Sequence, residues 1–428
     1  MKLQIRVAAL SLLLTGITSC KKDFSNPNEP TLAETFANDR GATAVAAGLQ
    51  RQYSVTAVSP LYNIVNANGF TTNELVLRNA GNIPELQLAT GGGTVDATNT
   101  VLTNIWSRSS KIIFDADNVI RYANSVADKS YASGLIGFAS IFKALSLGNL
   151  AMFYERIPDT TGVNVNFITR QQGFQKAVAV LNNALAAVNA NAPNALVLSR
   201  LPAGINIPNT LQALRARYAL FAGDNATALA AANAVNLTVP SVFNFDALTQ
   251  NPVFETATAT NNVFQPVDST LGLPPALAPN LADKRVPFYT SINTAIAPRY
   301  RIRGFYATGT TAVPVYLPGE IILIKAEALA RQNDLPNALI ELNRVITKKP
   351  ADDIYGVGAD LPPVVLTTQA DILTEIYRQR SIELFMSGLR LEDQRRLGRP
   401  VSERKRNFFP YPFQERDNNP NTPPDPAF

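Results

Sequence analysis

Tyr62, Asn73, Glu74 and Arg78 put an aromatic ring near an amide, a carboxylate and a guanidinium within one short stretch. That mixture suits a polar ligand such as a sugar, whose C–H face lies on a ring while its hydroxyls meet the polar groups. Taken singly, each of the four also reads as a solvated loop residue. Phe305 and Tyr306 add two adjacent rings in a second loop-rich stretch. Other chemistries are closed off. The chain has no His, which removes Ser-His-Asp and Cys-His catalysis and the HExxH zinc site. Its single cysteine, Cys20, allows neither an internal disulfide nor a thiolate metal cluster. Paired carboxylates, Lys or an oxygen-liganded metal remain open, but no acid pair stands out and no EF-hand spacing occurs. We therefore assign no catalytic residue, metal ligand or cofactor. Net charge is +5 without a long Lys/Arg run, which argues against nucleic acid as a partner.

These side chains need elements to carry them. Residues 62–93 hold Asn66-Ala67-Asn68-Gly69, Asn79-Ala80-Gly81-Asn82 and Gly91-Gly92-Gly93, which predict mostly loop. Residues 241–315 lack sustained periodicity and are rich in Pro. Phe243, Phe254, Phe288, Tyr300 and further rings run through them. We read a long irregular insertion, and an excursion of that length is usually functional. Arg299 to Arg303 reads as a mildly basic, solvated turn.

The scaffold is clearest at Glu320–Pro350. Ile322, Leu323, Ala326, Leu329 and Ala330 predict one helix, and Ala338, Leu339, Leu342 and Val345 a second. Pro336 suits the first turn of the second helix. The same pattern stands 110 residues earlier, pairing Ala216 with Ala326, Asp224 with Asp334, Ala228 with Ala338, Val235 with Val345 and Pro240 with Pro350. Small and apolar residues at this spacing, with a terminal Pro, resemble a tetratricopeptide repeat, whose units bury their apolar faces by stacking. Two further helices, around Gly134–Tyr154 and Phe174–Val188, read as another pair split by an insert. Trp106 reads as a core anchor at a helix start. The fold class is thus mainly α, a tetratricopeptide-like scaffold with long irregular loop insertions. Scaffold covers about 105–240 and 320–400, and the insertion about 241–315, within a single domain at 31–428. Residues 367–399 read as one helix. Its polar face, with Glu375, Arg378, Arg380, Glu383, Arg390, Asp393 and Arg395, is expected to be solvated and knitted by weak pairs.

At the amino terminus, Lys2 and Arg6 precede the apolar run Val7–Leu14 and the small residues before Cys20. This predicts a secretory signal peptide at 1–19, too short to span a membrane as a helix. Ile17-Thr18-Ser19-Cys20 resembles a bacterial lipobox, so Cys20 is expected to be acylated and to anchor the mature chain. Residues 20–30 then read as a flexible tether.

Several segments together resemble one family. Arg380-Ser381-Ile382-Glu383-Leu384-Phe385, Gly388-Leu389-Arg390-Leu391-Glu392-Asp393 and Arg395-Arg396-Leu397-Gly398 look like the RRxELxxEGxRxxDLxRxG segment of the SusD/RagB family. Arg406-Asn407-Phe408-Phe409-Pro410-Tyr411-Pro412, with Asn419-Pro420 behind it, is similar to that family's closing segment. Ala326-Glu327-Ala328, Ala338 to Val345, Leu214-Arg215-Ala216 and Ala222-Gly223-Asp224 match its central helices, and Cys20-Lys21-Lys22-Asp23-Phe24 its start. Departures are Met386-Ser387 in place of an acidic residue before Gly388, Gln394 in place of Leu, and Tyr154-Glu155-Arg156-Ile157-Pro158 in place of YGdvP. The resemblance implies a surface lipoprotein of Bacteroidetes, facing the cell exterior and lipid-anchored in the outer membrane. It implies a lid on a SusC-like, TonB-dependent outer-membrane barrel that captures an oligosaccharide or other nutrient and is not a catalyst. The family's binding loops vary, so the ligand-binding set Tyr62, Asn73, Glu74, Arg78, Phe305 and Tyr306 rests on composition and loop placement. A surface glycoside hydrolase using two carboxylates, or a purely structural partner of the barrel, are the alternative readings.

Overall fold

A computed structural model describes residues 30–428, apart from 296 and 298. The expected leader at 1–19, Cys20 and nearly all of the tether lie outside the described residues. The helices in chain order are α1 (Leu32–Thr35), α2 (Asp39–Ser54), α3 (Pro60–Thr71), α4 (Ile83–Thr90), α5 (Thr100–Ser125), α6 (Lys129–Phe153), α7 (Arg170–Ala190), α8 (Ala195–Arg200), α9 (Ile207–Phe221), α10 (Asn225–Asn233), α11 (Arg285–Tyr289), α12 (Pro318–Arg331), α13 (Leu335–Ile346), α14 (Gln369–Glu383), α15 (Arg390–Arg396) and α16 (Phe413–Asn418). They stack in sequence: α2 packs on α5, α5 on α6, α6 on α7, α7 on α9, α9 on α10, α10 on α12, and α12 on α13 and α14. Each pair covers the apolar face left open by the one before it, which is the logic of a helical-repeat scaffold. α6 is apolar enough to span a bilayer, yet 89% of its most apolar window is buried inside the protein, so it is a core helix.

The 110-residue repeat is visible atom by atom. Asp224 and Asp334 each cap the second helix of their pair, accepting from Thr227 N–H at 2.9 Å and Asn337 N–H at 3.4 Å. Their own N–H groups donate to Ala219 and Leu329, again 110 apart. The turn before each cap requires a left-handed residue. Gly223 supplies it at φ 82°, and Asn333 at φ 63°. Ala216, Ala228, Ala326 and Ala338 are all fully buried where the paired helices meet. α12, α13 and α14 share a small core of their own, with Ile322, Leu342, Val345, Ile372 and Ile376.

Two expectations are corrected here. The predicted loop at 62–93 begins as α3, which is buried along its whole length. Ser59 caps it and Pro60 starts it. Its Asn residues make internal hydrogen bonds instead of turns. Asn63 donates to Ala57 and Ser59 carbonyls, Asn66 to Glu85, and Asn68 to Glu74. A second helix, α4, occupies part of the remainder.

The predicted single helix at 367–399 is two. α14 ends at Glu383 and α15 starts at Arg390. Between them Met386 and Gly388 take left-handed φ values of 58° and 83°. That turn folds the charged face inward. Arg380 meets Asp393 at 2.9 Å, Arg390 meets Glu74 at 3.3 Å, and Arg396 meets both Asp393 and Glu327. Arg380, Glu383, Arg390 and Asp393 are all nearly inaccessible. Only Arg378 with Glu375, 3.4 Å apart, keeps the partly solvated character expected of the face.

One of these buried groups makes stability pH-dependent. Burial lifts the Asp393 carboxyl from 3.8 to about 6, and Arg380 only partly opposes it. The folded protein therefore holds a proton that the unfolded chain releases between pH 3.8 and about 6, so stability falls as pH rises through that window. Asp393→Asn should flatten this slope in urea titrations run across the window.

Candidate functional site

The insertion at 241–315 is tied to the scaffold at its base. β4 (Val242–Phe243) pairs antiparallel with β8 (Val313–Pro314), so the two ends of the excursion zip together. β5 (Phe264–Pro266) pairs with β1 (Leu75–Leu77), joining the excursion to the chain after α3. Asn251 cross-links it internally, donating to the carbonyls of Phe305 at 2.9 Å and Thr311 at 3.0 Å. β2 (Arg156–Pro158) and β3 (Phe167–Thr169) form a separate hairpin between α6 and α7.

The outer part of the insertion carries a groove of about 530 Å³. One wall is the hairpin β6 (Thr290–Ile292) and β7 (Tyr300–Ile302), in which Tyr300 stands opposite Ile292. α11 supplies Val286 and Pro287, and the preceding loop supplies Pro279, Asn280 and Leu281. Arg303, Ser269, Thr290 and Ser291 complete the lining. The Tyr300 ring is half-buried, with the Arg299 guanidinium 5.8 Å from its centroid. Leu281 and Ile292 are exposed at the rim. The groove thus offers a ring, a guanidinium, an amide, hydroxyls and apolar C–H surface, at a size that suits small ligands.

α11 is fixed from below. Arg285 is fully buried and bonds Asp283 at 2.7 Å, Glu383 at 3.1 Å and Gln379 at 2.6 Å. Lys348 reaches the other Glu383 oxygen at 2.7 Å and Asp353 at 2.6 Å. Gly319, in the first turn of α12, leaves room for this cluster, because a Cβ there would overlap the Glu383 carboxylate.

The sequence-selected ligand residues do not converge. Tyr62 is buried on α3 against Phe264, with ring centroids 6.3 Å apart, and burial drives its phenol pKa upward. Glu74 is buried too. It accepts from Asn68 at 2.7 Å and pairs with Arg390, and its pKa is raised by that burial. Both are corrected from loop ligands to packing residues, since the segment carrying them lies inside the core. Asn73 is half-buried at φ 64° and donates to the Glu403 carbonyl at 3.2 Å. Arg78 is exposed just past β1. Phe305 and Tyr306 do lie in the insertion, but they face inward. Phe305 packs on Phe288 at 5.4 Å and Tyr355 at 5.9 Å, and the Tyr306 hydroxyl donates to Met386 O at 3.0 Å. Both line a cavity of about 70 Å³ above the Arg217–Glu320 pair, room for a few waters and not for a sugar ring.

Sequence reasoning missed Asn280 and Arg303 and left Tyr300 as one ring among many. The run Arg299–Arg303, read as a solvated turn, is instead largely strand. A Tyr at hairpin spacing from the exposed Ile292 was the available signal.

No family model matches the chain, and no curated protein does. Solved structures do. A SusD superfamily protein from Parabacteroides distasonis superposes with TM-score 0.68 at 14% identity, covering 94% of this chain and 100% of that one. The fold is SusD-like. A SusD superfamily protein from Bacteroides fragilis gives TM-score 0.67 at 14% identity, covering 90% of this chain and 99% of that one. A SusD-like carbohydrate binding protein from the same species gives 0.64 at 16% identity, with coverages of 85% and 87%. In this SusD-like chain, the residues of the RRxEL…GxRxxD resemblance are the ones that make the buried turn and its ion pairs. They hold the fold together and do not form the groove.

Proposed function

We propose that this protein is a glycan-binding lipoprotein of the outer-membrane surface, which captures an oligosaccharide and hands it to a TonB-dependent barrel. The groove on the insertion carries this reading. It combines a stacking ring at Tyr300 with hydrogen-bonding groups from Asn280, Ser291 and Arg303 on a SusD-like scaffold. The likeness in fold to a SusD-like carbohydrate binding protein from Bacteroides fragilis supports it. The signal-peptide pattern and the lipobox-like Ile17-Thr18-Ser19-Cys20 support the anchored, surface location. Substrate capture here needs shape and polar complementarity and no reacting group. Cys20→Ala should release the protein from the membrane fraction, and mild-detergent pull-down of the wild type should recover a stoichiometric barrel. Membrane retention of Cys20→Ala would remove the anchor from the account. Recovery of the wild type alone would remove the barrel.

A further inference from the structure

A second cavity, of about 210 Å³, lies away from the insertion, between α5, α6, α7 and the loop joining β2 to β3. Its floor is apolar, from Ile113, Leu147 and Leu150. Hydroxyls of Ser110, Thr160 and Thr161 line it. The covering loop is held from outside, where Asn419 donates to Val165 O at 3.0 Å and Asn421 to Asn164 O at 2.8 Å.

The charges in this cavity do not cancel. Lys143 is paired with Asp117, and Lys176 with Asp159 at 2.8 Å. Glu415 is left over. Its two oxygens accept only neutral donors, Trp106 Nε1–H at 3.1 Å and Asn419 Nδ2–H at 2.9 Å. Among the described residues no cation pairs with it. A half-buried carboxylate with spare acceptor capacity calls for a positively charged donor.

We propose that this cavity binds a small hydroxylated primary amine of hexosamine size, with its ammonium on Glu415. Its C–H face would lie on Leu147 and Leu150 and its hydroxyls on the Ser and Thr groups. A cavity of about 150 Å³ accepts benzene, so this one has room for a single substituted ring. The site is independent of the groove and stands or falls separately from the glycan reading.

The test is calorimetric titration of the full chain with glucosamine, glucose and N-acetylglucosamine, at a pH where the amine is protonated. Glucosamine should bind at least about tenfold more tightly than the two neutral sugars. Glu415→Gln should cost at least about that factor. Thr161→Trp, which fills the cavity and keeps the Glu415 carboxylate, should abolish binding and decides the matter if Glu415→Gln fails to fold. Tyr300→Ala, which alters the other groove, should retain it. Equal binding of the three sugars, no binding, unchanged affinity in Thr161→Trp, or loss in Tyr300→Ala would each overturn the proposal.

Discussion

Arg285→Ala is expected to destabilise the protein by about 3–5 kcal/mol, the usual result of removing one partner from a buried ion cluster. Arg285 and Lys348 together face Asp283, Glu383 and Asp353, so the cluster already carries one excess negative charge. Removing the guanidinium raises that excess to two, in a place water does not reach. It also strands the Gln379 amide oxygen, which accepts from Arg285 at 2.6 Å. The reverse change gives the contrast. Glu383→Gln leaves Arg285 with Asp283 and Lys348 with Asp353, and brings the cluster to neutrality. It should cost less than half as much as Arg285→Ala. Urea unfolding of both variants measures this, and equal losses would show that packing, not charge balance, sets the cost. Arg285→Ala should also weaken ligand binding, because Arg285 is the first residue of the helix that lines the groove.

Tyr300→Ala is expected to lower oligosaccharide affinity by about tenfold, about 1.4 kcal/mol, with little change in stability. The ring is half-buried at a hairpin edge, and its loss removes the only aromatic face lining the groove among the described residues. Tyr300→Phe should retain most of the affinity if the ring face is what the sugar meets. Arg303→Ala should act mainly on discrimination between glycans, since a guanidinium fork selects the hydroxyl pattern it can bridge. The same titrations on Tyr62→Phe should show no change in affinity, because Tyr62 is inside the core.

The scaffold was legible because its signals are local and repeated. Asp224 and Asp334 cap helices for reasons that act within one helical turn, and Ala216 and Ala326 recur at the same place in each pair, where its two helices meet. The buried ion pairs were hidden because charge pattern alone does not say which face turns inward. That depended on Met386 and Gly388 taking left-handed conformations, which a helical reading of 367–399 passes over. The Asn-rich α3 was misread for a related reason. Asn63, Asn66 and Asn68 favour turns in isolation; the turn before the helix satisfies Asn63, and Glu85 and Leu391 satisfy Asn66 and Asn68, which suits them to a buried helix. The groove was half legible. Aromatic density marked the insertion, but which rings face outward is decided by tertiary structure: the β6–β7 pairing holds Tyr300 at the groove, and the short turn after β7 buries Tyr306.

The most direct measurement is titration of the intact chain against a broad oligosaccharide panel, with Tyr300→Ala run beside it. The account predicts saturable binding of at least one glycan, weakened about tenfold in the variant at unchanged stability. A panel that yields no binding, or binding indifferent to Tyr300, would contradict it.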